Sequence, residues 1–326
     1  MISASHLSKS FGSTLAVNDV SFEVTRGEVL GFLGPNGAGK TTTMRILTCY
    51  HPADSGTATI AGFDVFENPL EVRKLIGYLP ENNPLYMDMG MVDYLEFIAK
   101  VRNIIPSKRK EKIKHVIELC GLREELGKDI GELSKGFRQR VGLAQVLIHD
   151  PDILILDEPT IGLDPTQIIE IRELIKRIGK EKTIILSSHI LPEVSATCDR
   201  IIIIHQGEIV GSGTPEEMAS KAKEGEIIYI TIRGPLREVQ AKLHAMEKIK
   251  EFKKISEKED GLTQFEIKSE IGVDLSEELF FLVSQNGWSL TELRKETANL
   301  ENIFLQLTTK EGYQDAKHPY HLSKRV

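Results

Sequence analysis

A glycine-rich turn, set between an apolar run and a helical pattern, constrains this chain more than any other feature. The apolar run at 28–33 is typical of a fully buried strand, and Met44, Ile46 and Leu47 follow the turn at helical spacing. The turn reads Gly-x-x-x-x-Gly-Lys-Thr, which predicts a phosphate-binding loop, because glycines let backbone N–H groups surround an anion at a helix N-terminus. The residues expected to bind nucleotide here are Gly34, Pro35, Asn36, Gly37, Ala38, Gly39, Lys40, Thr41 and Thr42.

Two side chains of this loop predict ATP and Mg²⁺ as its ligands. Lys40 supplies a point charge for the β- and γ-phosphates, and the Thr41 hydroxyl is a ligand for Mg²⁺. The alternative is a glycine turn that only caps a helix, and the preceding apolar strand favours the phosphate loop.

A second apolar run, at 153–156, ends in two carboxylates. Asp157 suits the Mg²⁺ shell, and Glu158 suits a general base that polarises an attacking water. Two acids ending an ordinary core strand are the alternative, which is weaker after a phosphate loop.

The order of patterns along the chain predicts an α/β fold in two domains. Apolar strands alternate with amphipathic helices over 1–215, with a helical insertion at about 85–150. A polar linker is expected at 216–225. In residues 226–310 a new pattern of strands and helices begins, in the order β-α-β-β-α-β. This order predicts a small α+β, ferredoxin-like module, and a last helix is expected at 300–307. A loose polar tail is expected at 311–326.

Composition excludes several classes of protein. The net charge of −7 argues against a nucleic-acid partner, since no basic excess exists to displace counterions. Three well-separated cysteines without a Cys-x-x-Cys argue against a disulfide framework or a zinc site and favour a reducing cytosol. We see neither a signal peptide nor an apolar run long enough to span a membrane.

Further motifs accompany the phosphate loop in a fixed order. They are Leu-Ser-Lys-Gly-Phe-Arg-Gln-Arg at 133–140, Asp-Glu-Pro-Thr at 157–160, Gly-Leu-Asp at 162–164 and Ser-Ser-His at 187–189. Together they resemble the signature, Walker B, D-loop and switch-histidine motifs of the ATP-binding cassette (ABC) ATPases. The resemblance covers residues 1–215 and implies a P-loop NTPase fold with a mixed sheet core. At a finer level the chain is similar to the ABC-2-type export branch, and within it to the gliding-motility-associated ATPase subunit.

The resemblance implies roles for five further residues, four through their side chains and Gly136 through its backbone. In this family two cassettes sandwich two ATP molecules, and each phosphate loop faces the other subunit's signature motif. Ser134 and Gly136 are then expected to contact the γ-phosphate in trans, and His189 to orient the attacking water. Phe11 is expected to stack on adenine, although it could be an ordinary core residue. Asp164 is expected to reach across the dimer and to cap its own helix.

Two positions depart from the common family pattern. Glu81 stands where the family usually has the Q-loop glutamine, and we expect it to keep the metal role, because Mg²⁺ accepts carboxylate oxygens. The alternative is a solvated loop acid. Lys135 replaces a signature glycine; it could add positive charge near the opposite nucleotide or point to water.

The expected protein is therefore a cytoplasmic ATPase subunit, held at the membrane by a separate integral permease. Its second cassette is expected to be another copy of itself. The permease is expected to contact 81–93, where an apolar cluster could instead pack inside: Leu85, Tyr86, Met87 and Met89. A soluble ABC ATPase acting on ribosomes or DNA is the alternative. The C-terminal module could be a dimerisation or stability appendage, or a sensor.

Overall fold

The computed structural model describes residues 1–221, 227–257, 261–270, 273–296 and 304. The chain divides into two compact units, with the division between Thr214 and Pro215. The predicted helix at 300–307, apart from residue 304, and the predicted tail at 311–326 lie outside the described residues.

Over residues 1–214, the described part of the first unit, the chain forms ten strands and seven α-helices. The strands are β1 (Ile2–Phe11), β2 (Thr14–Val24), β3 (Val29–Leu33), β4 (Ser55–Ile60), β5 (Phe63–Asp64), β6 (Ile76–Leu79), β7 (Ile153–Asp157), β8 (Thr183–Ser188), β9 (Arg200–His205) and β10 (Glu208–Gly213). The helices are α1 (Lys40–Leu47), α2 (Pro69–Leu75), α3 (Met91–Val101), α4 (Pro106–Leu119), α5 (Lys135–Leu147), α6 (Pro165–Gly179) and α7 (Leu191–Thr197).

A six-stranded mixed sheet forms the centre of this unit, as predicted. Its order is β10-β9-β3-β8-β7-β6, parallel except for the antiparallel edge strand β10. Every residue of β3 and β7 is buried, which is the pattern of strands covered on both faces. Because parallel strands end at one edge, Leu33 pairs with Ser188, and Asp157 pairs with Ser187. This edge brings the chemically important residues together.

An antiparallel sheet of order β2-β1-β4-β5 contributes to the same hydrophobic core. Residues such as Leu7 and Val20 pack with Phe32 and Ile155 of the central sheet. Residues 85–150 hold α3, α4 and α5 and two short 3₁₀ turns, Arg123–Glu125 and Ile130–Glu132.

The second unit has its own core and its own sheet. In the part of this unit that the structure describes, the elements are α8 (Pro215–Lys221), β11 (Ile227–Arg233), α9 (Leu236–His244), β12 (Ile249–Glu257), β13 (Leu262–Ser269), α10 (Ser276–Gln285) and β14 (Ser289–Glu296). The sheet is antiparallel, in the order β12-β13-β11-β14, so the elements from β11 to β14 follow the order β-α-β-β-α-β.

The predicted linker at 216–225 is corrected in part, because α8 is helical as far as Lys221. Pro215 opens the helix, and Glu216 and Glu217 follow in its first turn, where acidic side chains are favourable. The polar composition predicts exposed side chains, which Glu216 and Glu217 are, and such side chains occur on helices as well as in loops. Met218 of the same helix is buried.

Candidate nucleotide-binding and catalytic site

The phosphate loop connects β3 to α1, and its glycines are required either by a positive φ angle or by the close approach of other backbone. Gly37 and Gly39 have φ angles of 79° and 108°, in the left-handed region that favours glycine. A Cβ on Gly39 would lie 2.5 Å from the carbonyl oxygen of Ala16. A Cβ on Gly34 would lie 2.3 Å from that of Ile204. The turn is therefore more than a helix cap, since β2 and β9 hold it on two sides.

Lys40 joins this loop to the acidic pair at the end of β7. Its side chain is 5% exposed, and Nζ donates hydrogen bonds to the carbonyl oxygens of Gly34, at 2.7 Å, and Pro35, at 3.2 Å. Nζ also lies 3.2 Å from Oε1 of Glu158. A buried ammonium at this point is placed to meet the phosphates of a nucleotide.

Asp157 is fully buried and bonded on one oxygen only. Its Oδ1 accepts hydrogen bonds from the hydroxyls of Ser187, at 2.5 Å, and Thr41, at 3.2 Å, while Oδ2 is buried without a partner among the described residues. Burial raises the pKa of Asp157, and the hydrogen bonds from Ser187 and Thr41 oppose this shift.

The donors around Asp157 fit Mg²⁺. An unpaired carboxylate oxygen next to a threonine hydroxyl matches an ion that binds one or two carboxylates and completes its shell with water and substrate phosphates. Across the described ranges, no group of three or more His, Cys, Asp or Glu residues could form a protein-only metal site.

Glu158 and His189 form a pair at the same edge. Nδ1 of His189 lies 2.9 Å from Oε2 of Glu158, and the histidine side chain is 35% exposed while the glutamate is buried. Glu158 has a φ of 48°, which is uncommon for a residue with a side chain, and its N–H lies 3.0 Å from the Ser187 hydroxyl. The carboxylate is therefore held toward both Lys40 and His189.

Phe11 ends β1 and is 46% exposed, so it is not an ordinary core residue. Its ring meets the ring of His51 edge to face, with centroids 5.5 Å apart, and Nζ of Lys9 lies 5.7 Å from its centroid. Phe11 pairs with Thr14 at the start of β2, the strand whose Ala16 touches the phosphate loop.

The signature and D-loop residues lie against each other. Ser134 caps α5 by accepting a hydrogen bond from the N–H of Phe137, at 3.3 Å, and Asp164 caps α6 through Gln167, at 2.9 Å. A Cβ on Gly136 would lie 2.6 Å from the side chain of Gln167. Within the described part of the chain, no hydrogen bond joins Ser134, Gly136 or Asp164 to the phosphate loop.

Glu81 and Lys135, the two residues that depart from the common family pattern, occupy different parts of the site. Leu79 of β6 pairs with Leu156 of β7, so Glu81 leaves the sheet at the same edge as Asp157. Glu81 is exposed, and in the described residues no hydrogen bond joins it to Asp157 or Thr41. Lys135 lies against the D-loop of its own chain, because a Cβ on Gly162 would be 2.1 Å from its Nζ.

Ser187 is the site residue to which the motifs assigned no role. Its hydroxyl binds the carboxylate of Asp157 and the N–H of Glu158. The signal that could have identified it is its place at the end of a buried parallel strand, where side chains meet those of the neighbouring strands.

Comparison with known proteins agrees with this geometry. The family described as "ABC transporter" matches residues 17–161. NatA of Bacillus subtilis (strain 168), an ABC transporter ATP-binding protein, is 40% identical over 217 residues, which are 66% of this chain and 88% of NatA. LnrL of the same organism, a linearmycin resistance ATP-binding protein, is 32% identical over 313 residues, which are 94% of this chain and 98% of LnrL.

A solved structure shows the same fold. CbiO1 from Clostridium perfringens, described as part of the ABC transporter complex cbiONQ, is 27% identical with a TM-score of 0.62 and covers 66% of this chain and 89% of its own. None of the helices in the described ranges combines the length and the apolar character that crossing a bilayer requires. The chain belongs to the ABC transporter family, as an ATP-binding protein of the ATP-hydrolysing cassette class.

Proposed function

We propose that this chain is the ATPase subunit of an ABC-2-type exporter and drives a separate membrane permease. The observation that carries the proposal is the cluster at one sheet edge, where Lys40, Thr41, Asp157, Glu158 and His189 converge around the phosphate loop. The charges and hydrogen-bonding groups of this cluster suit phosphoryl transfer, in which positioning and electrostatics supply most of the catalysis.

Each side chain has a task in this proposal. The loop amides and Lys40 bind the phosphates, Glu158 takes the proton of the attacking water, and His189 orients that water and the γ-phosphate. Thr41 and Asp157 are the side chains that would hold Mg²⁺, which when bound neutralises charge on the phosphates. Phe11 stacks on the adenine.

A second cassette completes the site. Ser134 and Gly136 make no hydrogen bond to their own phosphate loop within the described residues. The signature helix begins with the exposed residues Ser134 and Lys135, and a helix N-terminus favours an anion. We infer that a second copy of this chain supplies these groups in trans, with Asp164 at the shared surface.

The permease contacts the segment at 81–93. Tyr86 and Met87 are 56% and 44% exposed, and Tyr86 stacks edge to face on Tyr94 and on the partly exposed Phe97. The main chain is held by the second 3₁₀ turn, because the N–H of Gly131 donates to the carbonyl of Met87 at 2.8 Å. An exposed apolar surface on a fixed backbone suits a protein partner.

Export is favoured because LnrL, which matches nearly the whole chain, is named for resistance to linearmycin. Polysaccharide export and drug efflux are both compatible with the site, since substrate choice would reside in the permease. Gliding motility stays a prediction of the sequence resemblance.

Glu81 keeps the metal role of the Q-loop position in this proposal. It leaves the sheet at the edge where Asp157 lies, and its carboxylate offers an oxygen donor to Mg²⁺. Glu81→Gln should therefore alter the Mg²⁺ dependence of turnover. An unchanged Mg²⁺ titration and unchanged permease-stimulated turnover would remove this role.

The testing experiment uses Glu158→Gln, which removes the base but keeps the size of the side chain. The variant should bind ATP, lose turnover and accumulate as an ATP-bound dimer, as measured by gel filtration with light scattering. Tagged and loaded with Mg-ATP, it should capture a multi-span membrane protein from detergent-solubilised host membranes, whereas Lys40→Ala under the same conditions should not form the dimer.

Two results would contradict the proposal. Normal turnover of Glu158→Gln would remove Glu158 as the base. Capture of ribosomes or DNA-bound proteins, with no membrane protein, would favour the soluble ABC ATPase instead.

A further inference from the structure

One buried carboxylate lies behind the catalytic pair and has no part in the chemistry described above. Glu193, in the first turn of α7, is 6% exposed. Among the described residues, no Lys, Arg or His nitrogen lies within 4.0 Å of its carboxylate oxygens.

Its partners are two hydroxyl groups on different segments of the site. Oε2 of Glu193 accepts hydrogen bonds from Oγ1 of Thr160, at 2.5 Å, and from Oγ of Ser188, at 3.2 Å. Both residues are buried. Thr160 follows Glu158 by two positions, and Ser188 directly precedes His189. The carboxylate therefore bridges the two segments that carry the catalytic pair.

Ser188 is also tied to the phosphate loop and to the turn after the strand. Its Oγ accepts from the N–H of Ile190 at 3.1 Å, and its carbonyl oxygen accepts from the N–H of Gly34 at 3.3 Å. A displacement of Ser188 would move His189 relative to the loop that binds the phosphates.

Burial of a carboxylate without a cation is unfavourable, and an apolar side chain would fill the same volume without desolvating a charge. The two hydroxyl groups offset part of this cost. What an apolar side chain could not do is hold Thr160 and Ser188 at a fixed separation on one acceptor oxygen.

We propose that Glu193 is a positioning residue for the Glu158–His189 pair. By accepting hydrogen bonds from both hydroxyls, Glu193 sets the distance between the segment after Glu158 and the turn that carries His189. It thereby maintains the 2.9 Å contact between Glu158 and His189. This inference rests on the proposed roles of Glu158 and His189.

The test measures kcat and KM for ATP in the full chain, with rates expressed per ATP-binding site. Glu193→Ala should lower kcat by about 10- to 100-fold and leave KM within about twofold, since displacement of a catalytic group affects the chemical step. Glu193→Gln should keep kcat within about threefold, because an amide oxygen also has two lone pairs for the two hydroxyls.

Thr160 provides the matched pair of variants. Thr160→Val removes the donor at constant shape and should lower kcat, whereas Thr160→Ser should restore it. In the double variant Glu193→Ala/Thr160→Val, kcat should fall no further than in the more damaged single variant, because both changes remove one bridge. If Glu193→Ala does not fold, the comparison of Thr160→Val with Thr160→Ser decides.

Several outcomes would overturn the inference: additive losses in the double variant, equal damage from Glu193→Gln and Glu193→Ala, or equal kcat for Thr160→Val and Thr160→Ser. The Glu158→Gln variant separates the two levels. If it is inactive while Glu193→Ala turns over normally, only the positioning role fails; if it is active, the proposed catalytic role of Glu158 fails.

Discussion

The Nζ atom of Lys40 contacts three oxygen atoms of its own chain, two from the phosphate loop and one from Glu158. Such a side chain is a point charge already oriented by its surroundings, so ATP finds the ammonium in place. At the residue scale, the site consists of groups held in this way by neighbouring strand ends.

Lys40→Ala should weaken ATP binding by roughly 10- to 100-fold, which corresponds to the loss of a hydrogen bond to a charged group. Isothermal titration with ATP measures the change. Lys114→Ala, which removes an exposed lysine of α4, is the matched control and should bind ATP normally. Unchanged affinity in Lys40→Ala would show that the ammonium does not meet the phosphates.

His149 gives the chain a specific dependence of stability on pH. Its Nε2 lies 3.1 Å from the carbonyl oxygen of Ile76, while Nδ1 is buried without a partner among the described residues. Burial, reinforced by the nearby guanidinium of Arg102, lowers the pKa of His149 from 6.5 to about 4. Between these two pKa values, His149 is therefore mostly neutral in the folded state and mostly protonated in the unfolded state.

The sign follows from this difference in proton binding. Between pH 6.5 and pH 4 the unfolded state binds more protons, so the free energy of unfolding falls as the pH falls, by up to about 3 kcal/mol from this group. Urea unfolding at pH 7 and pH 4.5 should show a smaller loss of stability in His149→Gln than in the unmodified chain. Equal losses in both proteins would contradict the assignment.

At the scale of elements, the close contact of α7 with β3 supports the turn that carries His189. A Cβ on Gly31 would lie 2.2 Å from Cγ1 of Val194 and 2.9 Å from Sγ of Cys198. Helix α7 therefore packs against β3 at Gly31, where the strand has no side chain. Strand β3 leads directly to the phosphate loop.

Gly31→Ala should lower the free energy of unfolding by about 1–3 kcal/mol, as expected for overpacking of a filled core. Urea denaturation measures it. Val194→Ala should relieve part of the loss in the double variant, because it removes the nearest atom. Gly127→Ala is the control, since a Cβ there meets nothing within 4 Å. A neutral Gly31→Ala would mean that the helix can shift without cost.

At the scale of the whole molecule, all the proposed site residues lie in the first unit, while the second unit has a core of its own, which includes Ile230, Phe265 and Leu279. A domain with its own core is expected to fold by itself. The proposed boundary between the domains therefore has a direct test.

A chain that ends at Thr214, where the first unit meets the second along the chain, should keep the helical and strand signals of that unit in circular dichroism, its ATP affinity and its basal turnover, because its site is intact. If the C-terminal module is a dimerisation appendage, the shortened chain in the Glu158→Gln background should form less of the ATP-bound dimer. Unaltered dimerisation together with changed basal turnover would instead favour the sensor role. Loss of folding would contradict two independent domains.

The motif residues and most of the elements could be predicted from the sequence because they are local. A glycine spacing selects a loop, a buried strand requires an apolar run, and Asp164 before a proline caps a helix whose capping hydrogen bond the structure shows. The positive φ angles of Gly37 and Gly39 belong to the left-handed region that favours glycine.

Tertiary structure decided which of these local features meet. Ser187 reaches Asp157, and Glu193 reaches Thr160, only because β7 and β8 are adjacent and α7 packs behind them. The sequence separation of these residues carries no information about such contacts. They depend on strand order and on helix packing, which arise from burial across the whole core.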